Sequence, residues 1–127
     1  MLPSKLLANV FGIVFVLVGI LGFIPNPLVS PDGIFAVNTM HNLVHILTGI
    51  VFFVGGRMGY ARNTVIGVGV AYVAVTVLGF LTPEGSMLLG LVHINEADRY
   101  LHAGLAVAIL GAGFLATRDG GADAAAA

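Results

Sequence analysis

Three histidines and one aspartate stand out in segments that are otherwise apolar. His41 and His45 are four residues apart, and Asp98 and His102 repeat that spacing later in the chain, so each pair shares one face of a helix. Imidazole nitrogens and a carboxylate oxygen suit zinc and other transition metals. One hypothesis is therefore a metal site that uses four side chains: His41, His45, Asp98 and His102.

Other chemistry fits the same residues. His45 and His102 lie on two different helical segments and could hold a haem b between them. Histidines near neutrality could also pass protons or ions. The remaining hypothesis is structural, a hydrogen-bond network joining the two segments. Its further members are Asn38, Asn42, Asn95 and Arg99.

The structural hypothesis is the one we favour, with no cofactor and no enzymatic activity. No acid follows His41, so the H-E-x-x-H pattern of metalloproteases is absent from the sequence. No paired nucleophile and base and no phosphate-binding loop are visible. We therefore expect an accessory or self-associating subunit.

Two asparagines mark where helices should begin. Asn38 and Asn95 each follow an apolar residue and precede a long apolar run, the position of an N-cap. Asn95 and Asp98 have the spacing of a capping box. We also expect Arg99 to pair with Glu96 or Glu84.

The chain repeats itself with an offset of 57 residues, which aligns 10–56 with 67–113 without a gap. Asn38 falls on Asn95 and His45 on His102. A period of this length predicts two copies of one structural unit. The repeats run over about 5–57 and about 62–116.

Composition places these repeats in a lipid bilayer. The 127 residues are 58% hydrophobic and 9% charged, with mean hydropathy +1.05, whereas soluble domains carry roughly a quarter charged residues. A net charge of −1 excludes the basic surface typical of nucleic-acid binding, and the lack of cysteine excludes thiolate sites. Four stretches are long enough to span a membrane: about 6–24, 38–56, 64–81 and 98–116.

Charge predicts the orientation. One side of the predicted membrane carries Lys5, Arg57, Arg62 and Arg118, whereas the other carries Asp32, Glu84, Glu96 and Asp98 with Arg99. The positive-inside rule then puts both termini in the cytoplasm of a plasma-membrane protein. Two hairpins of equal orientation predict a parallel pseudo-twofold axis along the membrane normal.

The expected fold is thus an all-α integral membrane four-helix bundle made of two tandem two-helix repeats. Residues 1–127 form a single membrane domain, in which 118–127 is a disordered or cloning-derived tail. Small residues recur every fourth position in the last span and favour close helix contact, either internal or with another protomer or partner subunit. This helix-packing seam consists of Gly104, Ala108, Ala112 and Ala116.

The pattern Asn-x-x-His-Asn-x-x-His at 38–45, with Gly49 after it, resembles a family of small four-span prokaryotic membrane proteins known only as a domain of unknown function. A weaker second copy contains Asn95, Asp98, Leu101 and His102. Arg99 departs from the family pattern, in which asparagine is more usual. The resemblance covers essentially residues 5–116; it implies the four-span topology and supplies no activity.

Overall fold

A computed structural model describes residues 1–119 and confirms the all-helical prediction. Two strands of two residues each are the exception in the described part of the chain. The elements in chain order are α1 (Ser4–Leu21), β1 (Val29–Ser30), β2 (Phe35–Ala36), α2 (Thr39–Arg57), α3 (Ala61–Leu81) and α4 (Glu96–Phe114).

The helices pack chiefly as two hairpins, α1 with α2 and α3 with α4. Glycines allow the backbones to approach. A Cβ atom built on Gly69 would lie 2.8 Å from Cα of Leu110, and one built on Gly12 would lie 3.1 Å from the carbonyl oxygen of Gly49. Larger side chains at these positions would push the helices of each hairpin apart.

Aromatic and aliphatic side chains fill the space between the hairpins. Phe15 of α1 meets Tyr72 of α3 edge-on, with 5.4 Å between ring centroids. Phe52 and Ile109 are fully buried beside them. The core is therefore built from all four helices and holds the two hairpins together.

The α2–α3 connection, the residues before α1 and the described residues after α4 lie at the same end of the bundle. Gly59, with φ +83°, ends α2 in the left-handed conformation that glycine adopts most easily. Leu2 pairs with Ala116 in an isolated parallel bridge. The carboxylate of Asp119 accepts hydrogen bonds from the backbone N–H of Arg62 and of the next residue, which caps the start of α3. Of the expected tail at 118–127, the part from 120 onwards lies outside the described residues.

At the opposite end, short loops lead into α2 and α4. In the first loop β1 and β2 pair in parallel, with Val29 opposite Phe35. In the second, Leu88 pairs with Val92 across a tight turn that contains Gly90 at φ +73°. These loops place Asn38 and Asn95 directly before their helices.

Three helices are long and apolar enough to cross a membrane: α1, α2 and α3. The fourth, α4, falls short of that measure, with Glu96, Asp98 and Arg99 in its first turn. The outward faces of all four helices nevertheless expose large hydrophobic side chains, among them Leu17, Leu47, Val77 and Val107. The composition of the helices and their outward faces thus agree with a membrane protein.

Candidate functional site

The two asparagines predicted to cap helices do so. Asn38 Oδ1 accepts the backbone N–H of His41 at 2.9 Å, and Asn95 Oδ1 accepts that of Asp98 at 3.0 Å. The carboxylate of Asp98 accepts the N–H of Asn95 at 3.0 Å and completes the capping box. In each helix the capping asparagine therefore satisfies one of the N–H groups of the first turn.

The same asparagines also link the two halves of the chain. Asn38 Nδ2 donates to the carbonyl of Leu91 at 3.0 Å, while Asn95 Nδ2 donates to the carbonyl of Ile34 at 2.8 Å. Each amide thus caps its own helix and holds the loop that precedes the other helix. We call these two hydrogen bonds the cross-ties.

Arg99 does not meet the carboxylates expected from the sequence. Its Nε donates to the carbonyl of Gly79 at 2.8 Å and its Nη2 to the carbonyl of Thr82 at 3.0 Å. Both acceptors lie at the carboxyl end of α3, where helix carbonyls lack intrahelical donors and a positive charge is favourable. Arg99 is therefore buried because the end of α3 supplies oxygens for its guanidinium.

Asn42 occupies the corresponding place in the first hairpin, because its side chain packs directly against Gly22 near the end of α1. Its Oδ1 is buried without a hydrogen-bond partner among the described residues. The amide also lines an open groove of about 540 Å³ between the first loop and α2. None of the three buried histidines lines that groove.

The three histidines predicted to act together do lie together. His41, His45 and His102 are 2%, 6% and 3% exposed. Ring centroids are 4.5 Å apart for His41 and His45, and 5.6 Å apart for His41 and His102. One ring nitrogen from each residue lies within 4.8 Å of the others. We call this cluster the histidine trio.

The nitrogens of the trio differ in their partners. His41 Nδ1 lies 2.8 Å from the carbonyl oxygen of His93, to which it can donate in the appropriate tautomer. The Nδ1 atoms of His45 and His102 are buried and have no hydrogen-bond partner in the part of the chain that the structure describes. Asp98 is not a member of the group, and its carboxylate serves the capping box. Of the four side chains named in the metal hypothesis, the structure thus brings the three imidazoles together.

Two cavities adjoin the trio. The larger, about 260 Å³, is lined by all three histidines together with Thr48 and Tyr72, and we call it the polar cavity. The smaller, about 150 Å³, reaches only His45 of the trio, and we call it the apolar cavity. Its other lining residues are Val14, Phe15, Val18, Leu101 and Leu105.

A haem does not fit this arrangement. Pockets for cofactors and other small molecules usually measure about 300–1,000 Å³, and both cavities are smaller. Phe15 and Tyr72 pack edge-on against the imidazoles of His45 and His102. As the side chains stand, the space beside these histidines is smaller than a porphyrin needs.

Two features of the site were not predicted from the sequence. The first is the contact between the carbonyl of His93 and His41. Every residue has a backbone carbonyl, so the residue types in the sequence do not indicate this contact. Tyr72 and Thr48 could have been found by applying the 57-residue offset to Phe15 and Leu105, because the offset exposes positions where one copy is polar and the other apolar.

The residues of the small-residue seam predicted in α4 become more buried towards the end of the helix. Gly104 and Ala108 are exposed, Ala112 is half-buried and Ala116 is buried. The close contact with α3 is made instead by Gly113, where a Cβ would lie 3.2 Å from the backbone nitrogen of Ile66. Gly104 and Ala108, the two seam residues nearest the start of α4, therefore face outward.

Comparison with known proteins yields a family and no activity. No curated protein matches the chain. No solved structure matches it either. One family model, described as Domain of unknown function (DUF4383), matches residues 5–115, essentially the whole of the four-helix region. The chain belongs to the DUF4383 family.

Proposed function

We propose that the protein is a non-enzymatic, multi-pass subunit of the plasma membrane that associates with a second copy of itself through α4. All four helices cross the bilayer as one domain over 1–127, built from tandem hairpins at about 5–57 and about 62–116. A parallel pseudo-twofold axis relates the hairpins, and both termini are cytoplasmic.

Reciprocal contacts support the pseudo-twofold axis. Shifting the cross-tie from Asn38 to Leu91 by the 57-residue offset gives the cross-tie between Asn95 and Ile34. The ring pair of Phe15 and His45, 6.0 Å apart, corresponds to that of Tyr72 and His102, 5.9 Å apart. A reciprocal set of contacts is what a twofold relation between two copies requires.

The two cavities support the same axis. Each residue that lines the apolar cavity lies 57 positions from a residue that lines the polar cavity. Adding 57 to Val14, Phe15, Val18 and His45 gives Ala71, Tyr72, Val75 and His102. Subtracting 57 from Leu101 and Leu105 gives Val44 and Thr48. The two cavities therefore occupy equivalent places, one between α2 and α3 and the other between α1 and α4.

Charge supports the orientation. Contacts between Leu2 and Ala116, and between Asp119 and the start of α3, bring the chain ends and the α2–α3 connection to one end of the bundle. That end carries Lys5, Arg57, Arg62 and Arg118. Basic residues concentrate on the cytoplasmic side of membrane proteins.

The outward stripe of α4 carries the proposal of self-association. Gly104, Ala108 and Gly111 lie on one exposed face of the helix. A Cβ built on Gly104 or Gly111 meets no atom within 4 Å, so these two glycines are not needed for packing against the other described residues of one copy. Small residues on a membrane helix let another helix approach closely.

Energy transfer between donor- and acceptor-labelled copies in vesicles tests the proposal. We expect transfer in the unsubstituted protein and its loss in Gly104→Ile, because the branched side chain blocks close contact without disturbing the bundle. Gly67→Ile is the matched control, since Gly67 of α3 also has open space around its Cβ position. Absence of transfer in the unsubstituted protein, or equal transfer in Gly104→Ile, would show that α4 does not join two copies.

Orientation has a separate test, because the chain lacks cysteine. Single cysteines replace Met58 in the α2–α3 connection or Ser86 in the opposite loop. A membrane-impermeant maleimide added to intact cells should label Ser86→Cys and spare Met58→Cys. The reverse result would invert the proposed topology.

A further inference from the structure

Two members of the histidine trio differ from the cross-ties and from Arg99 in having a buried polar atom without a partner among the described residues. All three imidazoles are buried in the bundle, yet the Nδ1 atoms of His45 and His102 meet no hydrogen-bond partner among the described residues. Buried polar atoms in native proteins are nearly always paired with protein, water or ligand. A ligand that binds imidazole nitrogen would account for the cluster.

His41 is held as metal-binding histidines usually are. Such residues donate one ring N–H to a carbonyl or carboxylate, which orients the ring and leaves the other nitrogen free for the ion. His41 Nδ1 lies 2.8 Å from the His93 carbonyl oxygen, and the backbone of Ala36 is a second polar neighbour of the ring, so Nε2 is the nitrogen that would turn to an ion. This contact comes from the loop before α4 and fixes the ring from outside the trio.

We infer that His41, His45 and His102 form a three-nitrogen site for a divalent first-row transition ion with the ligand preferences of zinc. The inference goes beyond the proposed membrane subunit, which can assemble and self-associate whether or not the site is filled. Imidazole is the ligand shared by zinc, copper, nickel and iron sites, whereas calcium and magnesium prefer oxygen.

The separation of the nitrogens allows coordination with a small adjustment. Zinc–nitrogen bonds of about 2.0–2.1 Å in a tetrahedron set the ligand nitrogens roughly 3.4 Å apart. The candidate nitrogens already lie within 4.8 Å of one another, so closing the site requires movements of at most about 1.4 Å. Rotation of the side chains about their χ angles supplies displacements of that size.

The polar cavity supplies the fourth position. It is lined by all three histidines and, at about 260 Å³, has room for a water molecule or a small anion beside the ion. Its lining includes the hydroxyl-bearing side chains of Tyr72 and Thr48, whereas the apolar cavity has Phe15 and Leu105 at the corresponding positions. Apart from the histidines and these two hydroxyl-bearing side chains, the lining of both cavities is apolar.

The experiment uses the full chain in detergent micelles, stripped with a chelator and then titrated with Co²⁺ and with Zn²⁺. We expect one ion per chain and the intense visible absorption of four-coordinate Co²⁺. His45→Ala and His102→Ala should each weaken Co²⁺ binding by at least about tenfold. Glu84→Ala, which removes an exposed carboxylate outside the trio, should bind as the unsubstituted protein does.

Three results would overturn the inference: no stoichiometric uptake, uptake with the spectrum of six-coordinate Co²⁺, or equal loss in Glu84→Ala and in the trio variants. If the alanine variants do not fold, electron paramagnetic resonance of the Cu²⁺-loaded unsubstituted protein decides the question. Hyperfine coupling to three nitrogens supports the site, whereas coupling to one or none refutes it. Self-association measured in the same stripped samples reports on the proposed function independently.

Discussion

Because α3 and α4 approach closely at Gly69, we can predict how far an added methyl group should destabilise the protein. In Gly69→Ala the new methyl group would lie 2.8 Å from Cα and 2.9 Å from the backbone nitrogen of Leu110. Those atoms belong to a helix backbone and cannot turn aside as a side chain can. The substitution should therefore separate the two helices or strain their backbones.

Gly67→Ala is the matched control, two residues earlier in the same helix, where a Cβ meets no atom within 4 Å. Both substitutions gain the helix propensity of alanine, worth about 0.8–1 kcal/mol in water-exposed helices, so this gain cancels in the comparison. Overpacking costs typically about 1–3 kcal/mol. We expect Gly69→Ala to unfold with about 1–3 kcal/mol less free energy than Gly67→Ala.

The assay is unfolding in mixed micelles with increasing dodecyl sulfate, followed by circular dichroism. Gly12→Ala extends the series to the first hairpin, where two of the three nearest atoms belong to the ring of Phe53 at 3.0 Å. Because that ring can shift, Gly12→Ala should cost less than Gly69→Ala. If Gly69→Ala proved as stable as Gly67→Ala, the backbone contact would not limit the packing of this hairpin and the reasoning would be wrong.

The other predictions concern polar contacts and use the same assay. Asn95→Ala loses both a cap and a cross-tie and should lower the free energy of unfolding by about 1–3 kcal/mol. Asn63→Ala, at an exposed position, should change it by no more than about 0.5 kcal/mol. Equal effects would show that the cap and cross-tie do not stabilise the protein. Asp119→Ala should cost about 0.5–2 kcal/mol by uncapping α3, and no change would mean that water replaces the carboxylate. Arg99→Lys keeps the charge but not the guanidinium geometry and should cost about 1–2 kcal/mol; full stability would show that a point charge is enough.

Most of the helical architecture could be predicted from local signals. Asn38 and Asn95 mark helix starts because a capping side chain acts on the next turn of its own helix, so sequence spacing alone determines the contact. The 57-residue offset also aligns His45 with His102, and both imidazoles lie in the histidine trio. These predictions needed no knowledge of how the helices pack.

Predictions that depended on packing were less complete. Arg99 was expected to bind a carboxylate, but its partners are carbonyls of α3 that no residue type reveals. A small residue at every fourth position indicates close contact without indicating the neighbour, so Gly104 faces outward while Gly113 meets α3. Asp98 has the right chemistry for a metal ligand, yet its carboxylate serves its own helix start.

The backbone hydrogen bonds of Leu2 to residues just after α4 bear on chain connectivity. The backbone of Leu2 donates to Leu115 at 2.9 Å and accepts from Thr117 at 2.8 Å, so the end of α4 meets the start of α1 much as α2 runs into α3. The four helices thus form a ring with one non-covalent junction. Joining that junction and opening the chain at Gly59 would give a circular permutant with the hairpins in reverse order, in which every contact within and between them is still available. The order of the hairpins along the chain is therefore set by covalent linkage, and the contacts between the described residues are compatible with either order.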